Sequence, residues 1–95
     1  MKLVRDNIPT IMKKAGKNPK IKIACEEEYW KALKDKLKEE VNEFLENPTE
    51  EELVDIYEVM HAIYDLKKID KEILKKIRAE KAKTHGQFKK RIILE

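Results

Sequence analysis

Ninety-five residues with a net charge of +3, 43% charged and 41% apolar, are enough for one small domain with a single core and too apolar and periodic for a disordered segment. Two glycines and three prolines are too few for a turn-rich all-β fold. No apolar run approaches the roughly 20 residues that span a bilayer, and the opening MKLVRDN has no signal-peptide core, so a soluble, cytoplasmic protein is expected. The lone Cys25 leaves no internal disulfide or cysteine metal site within one chain and reads as a buried or inert thiol.

Along the chain, IPTIMKKA reads as a short helix with Asn7 as N-cap, Pro9 in the first turn and Gly16 as the stop. PKIKIAC alternates apolar and polar residues, as a short extended piece would. A long helix follows from about Glu26 to Glu46, in which Trp30, Leu33, Leu37, Val41 and Phe44 recur at helical spacing. It ends at Asn47-Pro48, because proline pushes the residue before it out of the helical region. Thr49 caps the next helix, which runs to Leu66 or Lys67. Its apolar positions (Leu53, Ile56, Tyr57, Val59, Met60, Ile63, Tyr64 and Leu66) cover well over half the circumference and mark it as the central, most buried helix. The short connection forces an antiparallel hairpin. Asp70 caps a further helix from Lys71 to about Lys83, its buried side led by Ile73 and Ile77, and Gly86 closes it before an irregular or extended FKKRIILE. The expected fold is all-α, an antiparallel helical hairpin plus further helices in one domain over 1–95. So broad an apolar belt on the second helix calls for completion by a homodimer or dimer of dimers.

The chemistry is carried by carboxylates in the wrong place. At about 100° per residue, Glu40 projects to within roughly 20° of Leu33, between Leu37 and Phe44, on the face that packs. Glu43 lies at the margin of that face. On the second helix Glu52 projects among Ile56, Val59 and Ile63, with Asp55 at the edge. Both pairs have i,i+3 spacing, and the short turn brings them to one end of the hairpin. Burying an ionised carboxylate costs several kcal/mol unless a cation offsets it. Four convergent carboxylates, without cysteine or paired histidine, fit Mg²⁺, with Mn²⁺ an alternative, better than zinc. Such ions stabilise charge on phosphoryl groups and activate water, which points to phosphoanhydride hydrolysis. Glu52 has a competing role, since Thr49-x-x-Glu52 is also a capping box.

The pattern EEVNE (Glu39 to Glu43) followed by ELVD (Glu52 to Asp55) resembles the EExxE…ExxD signature of the MazG-like all-α nucleoside triphosphate pyrophosphohydrolases. The opening KLVRDNIP and the ending KAKTHGQF look like the terminal signatures of a short, single-domain house-cleaning subfamily. The resemblance implies a MazG-like helical bundle and Mg²⁺-dependent cleavage of a nucleotide between its α- and β-phosphates. It implies Glu40, Glu43, Glu52 and Asp55 as metal ligands, and Glu39 as a group supporting them or orienting the attacking water. It implies Lys81 as a phosphate contact, and it places Arg5 and Asp6 in the N-terminal signature, where Arg5 is open between a bidentate phosphate clamp and a structural ion pair with Asp6 or a helix end. Asn7 stands where the subfamily usually has lysine, and His85 where arginine is common. The related phosphoribosyl-ATP pyrophosphohydrolases share the acidic motif, but their characteristic histidines around the second acidic pair are missing.

A rival reading is a non-catalytic helical module that oligomerises or binds RNA through the basic stretch Lys75, Lys76, Arg78, Lys81, Lys83, Lys89, Lys90 and Arg91. These cations are spread around a helix. The aromatics Tyr29, Trp30, Phe44, Tyr57, Tyr64 and Phe88 fall mostly at core positions rather than on a base-stacking surface, which argues against nucleic acid.

Overall fold

The computed structural model of the chain describes residues 2–95. Among these there are four helices and no strand: α1 (Ile8–Lys14), α2 (Glu26–Glu46), α3 (Glu50–Lys67) and α4 (Lys71–His85). The all-α expectation is met, and no helix among the described residues is long and apolar enough to cross a membrane. The chain divides into two compact units, the first ending at Ile63 and the second running from Tyr64 to Glu95.

In the first unit, α1 begins with proline in its first turn, where the missing N–H costs no helical hydrogen bond. Asn7 does not cap it through its side chain. Its backbone is already helical, and its carbonyl accepts the Ile11 amide at 3.0 Å. Gly16, at φ +83°, ends the helix: its amide reaches the Lys13 carbonyl and that of Lys17 the Met12 carbonyl. That left-handed turn favours a residue without Cβ.

The alternation in PKIKIAC does not become a strand. Ile21 and Ile23 are exposed, and without a neighbouring strand to pair its amides or a surface to bury its alternate side chains, the segment gains nothing from sheet geometry. Cys25 is exposed rather than buried, because it occupies the extended position just ahead of α2. Glu28 secures that helix start. Its carboxylate accepts the Cys25 amide at 3.2 Å and the Lys22 ammonium, and these partners, the lysine foremost, pull its pKa down to about 2.

Helices α2 and α3 form the hairpin. Its core is small: Leu33, Val59 and Ile63 are the buried apolar residues, while Trp30, Leu37, Val41 and Phe44 are half-buried along the same side of α2. The apolar belt of α3 is only partly covered, with Val54 and Tyr57 exposed. The second unit carries α4, where the Asp70 carboxylate accepts the Glu72 amide at 2.8 Å and the Ile73 amide at 3.4 Å. The helix runs to His85, past the expected Lys83, and Gly86 at φ +83° stops it. Its apolar side is not buried: Ile73, Leu74 and Ile77 are all exposed. The stretch after Gly86 is irregular, as expected.

Candidate metal centre

The helical period that aligns Leu33 with Glu40 places both in the interior, 1% and 6% exposed. Glu43 follows one turn later at an exposed position. The chain then reverses through a tight turn, in which the Asn47 amide bonds the Glu43 carbonyl at 2.9 Å and the Thr49 amide bonds the Asn47 carbonyl at 2.8 Å. This reversal sets the first turns of α3 beside the last turns of α2, with Glu52 and Asp55 half-buried. One carboxylate oxygen from each of Glu40, Glu43, Glu52 and Asp55 lies within 4.8 Å of the other three. All four expected ligands are therefore gathered at one end of the hairpin.

Glu52 does not use its carboxylate as a cap. Its amide donates to Thr49 Oγ1 at 3.3 Å, which is half of a capping box. The return bond is not made, because the Thr49 amide is taken by Asn47. Glu52 Oε2 is instead buried without a hydrogen-bond partner, and so is Glu40 Oε2. Leaving a buried acceptor unsatisfied costs about 1–3 kcal/mol, more when it is charged. Two such oxygens in one acidic cluster are what a cation would satisfy, and an all-oxygen donor set suits a hard divalent ion.

Three basic side chains border the cluster. Arg5 bonds Asp55 Oδ1 at 2.7 Å and lies 3.8 Å from Glu58, so of the open alternatives its ion pair is with α3 rather than with Asp6 or a helix end. Lys2 pairs with Glu39 at 2.9 Å. Lys36 lies 3.5 Å from Glu39 and 3.3 Å from Glu40 Oε1. The electrostatic outcome differs along α2. Burial, with repulsion from Glu43 and Asp55, pushes the Glu40 carboxyl above its usual range despite the opposing Lys36, whereas the Lys2 hydrogen bond holds Glu39 below it.

Lys81 stands exposed on α4 in the second unit. Sequence reasoning passed over Lys2, Lys36 and Glu58. The i,i+3 and i,i+4 spacing of Lys36 to Glu39 and Glu40 was a readable signal, but nothing local marks the other two.

A Mycolicibacterium smegmatis (strain ATCC 700084 / mc(2)155) protein, described as uncharacterized, is 49% identical to this chain over 41 residues. That match covers 43% of this chain and 42% of the relative, so the chain spans less than half of the relative's length. No family model matches the chain, and no solved structure does.

Proposed function

We propose that the chain is a Mg²⁺-dependent nucleoside triphosphate pyrophosphohydrolase of the MazG-like kind, releasing a nucleoside monophosphate and pyrophosphate. The observation that carries this reading is the convergence of Glu40, Glu43, Glu52 and Asp55 with two buried, unpartnered carboxylate oxygens. Those four residues would hold Mg²⁺ or Mn²⁺, which would supply charge neutralisation for phosphoryl oxygens and lower the pKa of water.

The remaining roles belong to the chain's own groups. Glu39, kept ionised between Lys2 and Lys36, is a poor proton acceptor and serves by accepting a hydrogen bond from the attacking water. Arg5 sits at the rim with its side chain half-exposed, and the guanidinium donors not taken by Asp55 would contact a phosphate. Lys81 is a further phosphate contact, on the strength of the terminal signature. The protein works in the cytoplasm as a homodimer or dimer of dimers, in which a second copy covers the exposed apolar residues.

The test is pyrophosphate release from a panel of nucleoside triphosphates and phosphoribosyl-ATP. Release should require Mg²⁺ or Mn²⁺, stop with a chelator, and fall by more than about 100-fold in Glu40→Gln, since even groups that only support metal ligands cost about 10–100-fold. Turnover of phosphoribosyl-ATP alone would reassign the substrate. No turnover of any of them would end the hydrolase reading.

A further inference from the structure

Lys36 is better covered than the other paired lysines: its side chain is 19% exposed, against 65%, 55% and 76% for Lys2, Lys22 and Lys75. Placed one turn ahead of Glu40, it forms the weaker of the two orientations of a helical glutamate–lysine pair, so helix stability does not explain it. What the contact does is divide the Glu40 carboxylate. Oε1 faces the ammonium at 3.3 Å, while Oε2 is buried and has no partner. The same ammonium reaches Glu39 Oε2 at 3.5 Å. A carboxylate tied through one oxygen keeps its orientation and offers the other as a single donor, as groups outside the ligand set do for metal-binding side chains.

We propose that Lys36 is the positioning residue of the cation site: it engages Glu40 through Oε1, leaves Oε2 to ligate a hard divalent ion, and by bridging to Glu39 sets the spacing between that ligand and the water-orienting carboxylate. This rests on the reading of the cluster as a cation site, and adds that Glu40 ligates through one oxygen only.

The proposal predicts a sign opposite to that of simple electrostatics. A lysine beside a cation site repels the incoming ion, so removing its charge should tighten binding. A lysine that positions a ligand gives weaker binding when it is removed.

The experiment is calorimetry of Mn²⁺ binding to the full chain, with the electron paramagnetic resonance spectrum of the bound ion as a second readout. The comparison covers wild type, Lys36→Met, Lys36→Arg and the charge-matched Lys38→Met at an exposed position of the same helix. Lys36→Met should weaken Mn²⁺ binding about tenfold or more and alter the spectrum, Lys36→Arg should restore most of the affinity, and Lys38→Met should bind as wild type or slightly tighter. Unchanged or tighter binding in Lys36→Met, with the wild-type spectrum, overturns the proposal and leaves the cation site standing. Absence of Mn²⁺ binding in the wild type overturns both. Circular dichroism checks folding, and if Lys36→Met does not fold, Lys36→Gln carries the same comparison.

Discussion

Glu40 shows how one residue can oppose folding and suit the proposed cation site. Its carboxylate is 6% exposed, has a cation at one oxygen and nothing at the other, and faces three more carboxylates. Replacing a buried charge with a neutral group of the same shape relieves desolvation and repulsion together. In chelator, Glu40→Gln is expected to be about 1–2 kcal/mol more stable than wild type by thermal or urea unfolding. Added Mg²⁺ should raise the wild-type midpoint and leave the variant unmoved, because only a ligand that binds the folded state shifts the equilibrium. A variant less stable than wild type in chelator would mean that Lys36 already compensates the charge. The pKa gives the same sign. A folded value above the unfolded one means that the contribution of Glu40 is present at low pH and lost as pH rises through the folded value. Its burial was legible from Leu33, because seven residues nearly complete two helical turns. The contact of Arg5 with Asp55 was not, since 50 residues separate them.

At the scale of elements, helix ends show what local chemistry decides. The bounds expected for α2 match those observed, and the starts of α3 and α4 follow their Thr49 and Asp70 caps. The start of α2 rests instead on Glu28, whose pKa is lowered to about 2 by Lys22 and the Cys25 amide. A folded value below the unfolded 4.5 contributes stability that is complete above 4.5 and lost as pH falls toward 2. Glu28→Gln should therefore flatten that part of the acid limb in a pH series of unfolding midpoints. Hydrogen exchange of the first-turn amides of α2 should become less pH-dependent over the same window. An unchanged acid limb would show that the Lys22 pair contributes nothing in solution. PKIKIAC did not become a strand and the apolar side of α4 was not buried, because alternation and amphipathic spacing describe a face without supplying a surface to pack it against.

For the molecule as a whole, the disproportion between buried and exposed apolar side chains is the dominant fact. Leu33, Val59 and Ile63 form the buried apolar core of the described residues, while Val54, Tyr57, Ile73, Leu74 and Ile77 are exposed on α3 and α4. A core of that size gives a single small chain little stability. The unfolding midpoint should therefore rise with protein concentration, and sedimentation at micromolar concentration should show an oligomer. A monomer with a concentration-independent midpoint would remove the proposed assembly. By itself the sequence determined the helices, their order and the inward turn of Glu40 and Glu52, because periodicity, capping and proline act within a few residues. Only the tertiary structure decided that the Glu52 carboxylate is not a cap, that Arg5 and Lys2 border the cluster, and that two carboxylate oxygens end without partners. Those outcomes depend on which groups meet across a turn or over long stretches of chain, and no local spacing encodes that.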